Sequence, residues 1–197
     1  MTDPSSPARE VTEADLAQAA GRHRRAALRY FCTWCPLFAV WPVLLVVLDS
    51  GYLIPMAPVG AAGTLVHLNK LVSSLALTRR CVRILRTYPA VFRAPVRKVN
   101  LRQNGRRFLV LGDGTGDASP EMSARDALHR KQWPKDIADG VWFAGDDAFG
   151  GAVLVPGTGE LMCMQPKDWA ATAGARSRAG ADRTRRAERT GLTRHKL

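Results

Sequence analysis

Between Tyr30 and Asn69 the sequence has no lysine and no arginine, and between Thr78 and Arg107 it has no aspartate or glutamate. The first gap excludes an ordinary hydrated surface over that stretch. The second excludes local ion pairing for the ten Lys and Arg residues that crowd into it. No Walker loop is present and no G-x-G-x-x-G follows a strand pattern, so the common phosphate-cradling loops are excluded. Gly157-Thr158-Gly159 is too short to serve as one. Only four cysteines occur, and their spacing suggests no disulfide framework. His23, His67, His129 and His195 are scattered and pair with no Ser or Cys in a catalytic pattern.

The net charge of +12 is unevenly distributed. Residues 108–169 carry five bases against ten acids, whereas residues 170–197 carry eight bases against two. The basicity therefore lies beside the apolar segments and in the tail. There it would meet anionic lipid in preference to nucleic acid.

Tyr30 to Leu48 is a charge-free run in which only Thr33, Pro36 and Pro42 depart from apolar character. About 20 helical residues cross a hydrocarbon core of ~30 Å. Its ten strongly apolar side chains favour insertion by roughly 3–6 kcal/mol, and prolines are tolerated in lipid-embedded helices. The run begins too far from residue 1 and is too long for a signal peptide, and no small-residue cleavage site follows it. A second stretch, Gly51 to Asn69, lacks formal charge, and its Gly60-Ala61-Ala62-Gly63-Thr64 cluster permits close backbone approach. Asp49 to Gly51 would form the turn. The expectation is a two-helix hairpin over residues 30–70, spanning 30–48 and 51–70. Arg22, Arg24, Arg25 and Arg29 precede it and Arg79, Arg80, Arg83 and Arg86 follow it. The positive-inside rule then places both termini in the cytoplasm of a multi-pass cell-membrane protein.

Within this hairpin His67 and Lys70 form a candidate intramembrane polar site, although Lys70 at the interface would simply snorkel. Cys32-Thr33-Trp34-Cys35 is a C-x-x-C, the spacing of an attacking and a resolving thiol. Apolar surroundings raise a thiol pKa, and no thioredoxin-like unit surrounds the pair, so membrane packing explains it better.

Thr12-Glu13-Ala14-Asp15 reads as a capping box opening a helix that runs through Arg29 into the first span. Within residues 1–29 the start is expected to be disordered. Residues 71–88 read as a basic amphipathic helix, with Arg79, Arg83 and Arg86 on one face and Leu77, Cys81, Ile84 and Leu85 on another. The expected contact of Arg79, Arg80, Arg83 and Arg86 is anionic lipid. From residue 92 to 169 the pattern is β-rich. Gln103-Asn104-Gly105 and Pro156-Gly157-Thr158-Gly159 mark hairpins, and Ser119-Pro120-Glu121 would start a short helix ending at Arg130. About five strands in a small barrel, OB-like or SH3-like, are expected. Asp113, Asp117 and Glu121, and the pair Asp146-Asp147, miss the calcium-loop pattern and fit turn chemistry. Residues 170–197 are expected to be a disordered basic tail.

The stretches Asp139-Gly-Val-Trp-Phe-Ala-Gly-Asp146 and Phe149-Gly-Gly-Ala-Val-Leu-Val-Pro-Gly157 resemble segments of actinobacterial two-helix integral membrane proteins, over residues 22–169. In topology alone the layout is similar to NfeD-like proteins. Neither resemblance implies an activity or a functional residue. The fold class expected is α+β, a membrane helical hairpin followed by a barrel-like cytoplasmic module. The expected function is a membrane-anchored adaptor or regulator, with no cofactor and no metal. Its partners would be the bilayer and either a second copy or a cytoplasmic protein. A thiol-dependent membrane redox enzyme using Cys32 and Cys35, and an accessory subunit of a transporter or channel, are the alternatives.

Overall fold

Thr12 caps the first helix as the capping box requires: its Oγ1 accepts the Asp15 N–H at 3.2 Å, and its own N–H donates to the Asp15 carboxylate at 3.1 Å. In a computed structural model describing residues 11–48, 51–103, 106–112, 118–130 and 132–194, helix α1 (Glu13–Leu48) follows from that cap without a break. A 3₁₀ turn, Gly51–Leu53, leads to α2 (Met56–Thr87). Seven strands follow: β1 (Val91–Arg93), β2 (Val96–Gln103), β3 (Arg106–Leu111), β4 (Met122–Asp126), β5 (Val141–Asp146), β6 (Gly150–Leu154) and β7 (Leu161–Pro166). Helices α3 (Ala173–Ser177) and α4 (Ala181–Thr190) close the described chain. The class is α+β.

The strands form one antiparallel sheet in the order β1-β5-β6-β7-β4-β3-β2. β1 and β2 are consecutive in the chain yet lie at opposite edges, joined only by Ala94 and Pro95. Two linking residues reach about 10 Å at most. The sheet must therefore curl until its edges approach each other, which makes it a half-barrel.

Side chains alternate between two packed faces. Phe143, Val153, Met162 and Met164 point to the inner face with Val96, Leu109, Leu111, Met122 and Ile137. Ala144, Ala152, Leu154, Leu161 and Cys163 face α1, α2 and α4, meeting Leu16, Ala19, Cys81, Ile84, Leu85 and Ala187. Gly150 lies at a φ of 96°, and a Cβ there would sit 2.3 Å from the Met164 carbonyl, so the β5–β6 turn requires glycine.

Several expectations are corrected. The amphipathic segment 71–88 is not a separate helix. It is the second half of α2, and Cys81, Ile84 and Leu85 cover the outer face of the sheet, which would otherwise be bare. The second helix starts at Met56 rather than Gly51. Residues 122–126 are a strand, not a helix: Met122, Ala124 and Asp126 are buried between β3 and β7, and that pairing overrides the local helix signal. Seven strands are present among the described residues, where five were expected. The tail is helical in part, with Ala187, Thr190 and Leu192 buried. It is fastened by the Arg183 guanidinium, which donates to Asp146 at 2.6 and 2.8 Å, and by Gln165 donating to the Arg194 carbonyl at 2.8 Å. Residues 1–9, Asp49-Ser50, Asn104-Gly105, Asp113 and Asp117 lie outside the described residues. The β2–β3 pairing nevertheless brings Gln103 opposite Arg106.

Candidate functional site

The first 17 residues of α1 and the last 17 of α2 pack on the sheet, while their other halves project beyond it. The projecting tip carries most of the exposed large apolar side chains, among them Trp34, Leu37, Val43, Val46, Val47, Val59, Leu65 and Val66. An apolar surface this continuous marks a membrane or protein contact. Tyr30 to Leu48 measures about 28 Å along a helix, close to a hydrocarbon thickness. Among the described residues, α1 is the one helix long and apolar enough to cross a membrane by length and composition.

The two halves of the tip are in close contact. A Cβ on Gly60 would lie 2.6 Å from the Phe38 carbonyl oxygen, and one on Gly63 would lie 2.2 Å from the Phe38 ring. The small-residue cluster thus serves the hairpin's own packing.

His67 fits among Tyr30, Trp34 and Phe38, with ring centroids at 5.6, 6.5 and 5.0 Å. Neither of its ring nitrogens has a hydrogen bond among the described residues. Lys70 places its ammonium 4.0 Å over the Tyr30 ring. It therefore sits level with the start of the charge-free run of α1. Cys32 is exposed and Cys35 half-buried on α1, both as free thiols. The structure buries a different pair in one core cluster, Cys81 on α2 and Cys163 on β7, and the Cys163 thiol donates to the Leu77 carbonyl at 3.8 Å. Burial pushes the Cys81 thiol well up, which keeps it protonated and inert.

The four arginines of α2 do not act as one face. Arg80 donates to the Gly191 carbonyl at 2.8 Å and Arg86 pairs with Glu13 at 2.9 Å. Arg79 and Arg83 remain exposed, and among the described residues neither has an acidic partner. Of the acidic candidates, Asp146 holds Arg183 and caps the Ala148 N–H at 3.0 Å, Asp147 pairs with Arg93 at 3.2 Å, and Glu121 pairs with Lys167 at 3.0 Å. No group of three or more His, Cys, Asp or Glu among the described residues could hold a metal ion.

Sequence reasoning missed the polar cluster where the helices meet the module. The Asp126 carboxylate, 1% exposed, lies 3.4 Å from Arg107 and 3.3 Å from Arg130 and accepts the Leu128 N–H at 2.6 Å. Arg130 also reaches Glu160 at 2.6 Å. Arg107 is 4% exposed, donates to the Gln132 carbonyl and stacks 4.8 Å over Trp133. Burial raises the Glu160 pKa and lowers that of Arg107. Asp126 and Arg130 are four residues apart, which was the available local signal; the remainder converges only in the fold.

His23 borders this cluster. Its Nε2 accepts the Leu161 N–H at 3.3 Å, so Nδ1 carries the proton and donates to the Ala19 carbonyl at 2.9 Å. The imidazole is thus held neutral, and burial lowers its pKa. His129, bonded to Ser73 at 2.9 Å, is shifted down in the same way. A lowered histidine pKa stabilises the fold fully above the unfolded value near ~6.5, and that contribution is lost as pH falls through the folded value. Thermal stability should therefore fall as the pH is taken from 7 towards 5. His23→Gln with His129→Gln, followed by thermal unfolding across that range, should flatten the drop.

Comparison with known family models, with curated proteins and with solved structures finds no match to this chain.

Proposed function

We propose that this chain is a membrane-anchored adaptor: the helical hairpin is the anchor, and the half-barrel is the element presented to a cytoplasmic partner or a second copy. The observation that carries the reading is the separation of surfaces. Strands β3 to β7 are buried on both faces by the chain itself, whereas the hairpin tip is apolar around most of its circumference and is covered by nothing among the described residues. A soluble domain gains nothing from such a tip, while a bilayer solvates it.

The Lys and Arg asymmetry supports two crossings with both termini inside. The tight packing of Gly60 and Gly63 against Phe38 supports treating α2 as the second half of that anchor. Tyr30, His67 and Lys70 read as a collar at the inner interface, where aromatic and snorkelling side chains gather. Cys32 and Cys35 then serve as packing residues in the anchor.

The test is fractionation of the full chain. It should remain with membranes through alkaline extraction, and Val43→Glu with Val46→Glu should release most of it. Protease added outside intact spheroplasts should leave the module and the tail uncut. A purified chain that stays monodisperse without detergent or lipid would overturn the anchor, and cleavage of the tail from outside would overturn the orientation.

A further inference from the structure

We propose that the groove between α1 and α2 is a binding site for one anionic phospholipid, with the headgroup phosphate held by Arg24, Arg79 and Arg83. The inference rests on the membrane anchorage proposed above and deepens it, assigning a particular lipid chemistry to a particular cleft.

A cavity of about 630 Å³ opens between the two helices, lined by residues of α1 and α2 alone. Its walls have two characters. Arg24 from α1 and Arg79, Arg83 and Arg86 from α2 line it, together with Leu28, Leu75 and Val82. Ala20, Arg24 and Leu28 recur every four residues on α1, and on α2 Leu75, Arg79 and Arg83 do the same, with Val82 and Arg86 beside them at i+3 from Arg79 and Arg83, so each helix gives the groove one continuous stripe.

The positions of these residues along the helices distinguish a lipid from other anions. Leu28 and Leu75 lie at the end nearer the apolar tip, with exposed Val72 continuing in that direction. The guanidinium groups lie at the end nearer the module. A molecule with a negative head and an apolar chain fits in one direction only, with its chain running onto the surface that faces the hydrocarbon. Arg24, Arg79 and Arg83 are exposed and have no acidic partner among the described residues, so their charge is available. Arg86 is engaged by Glu13 at 2.9 Å and forms the rim. Arg80, the fourth arginine of the sequence cluster, is turned away onto Gly191. Guanidinium groups bind phosphate oxygens in a forked geometry, and supply from two helices fixes the headgroup from both sides.

The test uses the full chain in nanodiscs of equal phosphatidylcholine and phosphatidylglycerol, released into native mass spectrometry. The wild type should retain one phosphatidylglycerol in preference to phosphatidylcholine. Arg24→Gln, Arg79→Gln and Arg83→Gln together should reduce that retention at least fivefold. Arg178→Gln, Arg186→Gln and Arg189→Gln, which remove the same charge from the exposed tail, should leave it unchanged. Equal loss in both triple variants would overturn the groove and leave a general charge effect. Retention unaffected by either would overturn it as well, with the anchor intact. Glycerol phosphate added in excess should fail to displace the lipid; displacement would identify a soluble phosphate as the occupant and overturn the lipid assignment. Failure of the chain to enter nanodiscs would remove the anchor and the site together.

Discussion

Asp126→Ala should lower the stability of the module by roughly 3–5 kcal/mol, the cost of leaving a buried charge without its counter-ion. Arg107 is the stranded group. It is almost fully buried, and Asp126 is the carboxylate that faces it directly. The loss corresponds to a fall in midpoint of about 10 °C in a chain of this size. It is read by thermal unfolding in detergent followed by circular dichroism. The double variant Arg107→Met with Asp126→Leu should recover much of that loss, because a well-packed apolar pair of similar volume needs no desolvation. A single variant as stable as the wild type would show that the carboxylate is not what holds Arg107.

Gly60→Ala and Gly63→Ala should each force the hairpin apart, at a cost of about 1–3 kcal/mol, but they should respond differently to a second change. The new methyl at residue 63 would strike the Phe38 ring, 2.2 Å away, so Phe38→Ala should rescue it. At residue 60 the obstacles are the Phe38 carbonyl oxygen at 2.6 Å, the Pro42 ring and the Trp41 Cβ, so Phe38→Ala should not help. Spin labels at Val46 and Val59, with Cys32 and Cys35 replaced by serine, would report the helix separation. Rescue of both, or of neither, would contradict the packing described.

The helical hairpin was legible because its signal is compositional: a gap in Lys and Arg running from Arg29 to Lys70 survives without knowledge of any contact. The C-terminal hairpin of the sheet was legible for a similar reason, since Pro156-Gly157-Thr158-Gly159 is a turn on local grounds. Strand β4 was not. Ser119-Pro120 imitates a helix start, and only pairing with β3 and β7 makes Met122–Asp126 extended. Strand β1 has three residues, too few for a period. Helix α4 was hidden because it contributes so few apolar side chains, and Arg183 finds Asp146 at a distance of 37 residues in the chain. The groove was half visible: the α2 arginines stood out in the sequence, but which of them are free depends on Glu13 and Gly191, which only the fold brings near.

Neither α1 nor α2 is interrupted where the apolar tip gives way to the packed half. Leu71 to Thr87 extends about 25 Å, so each helix is a stiff arm with no joint. In a thinner bilayer a spanning pair leans to match the hydrocarbon depth, and a lean of about 10° would swing the far end by roughly 4 Å. On the anchorage proposed above, the half-barrel would then shift sideways over the lipid headgroups with bilayer thickness, carried there by geometry without any rearrangement of its own.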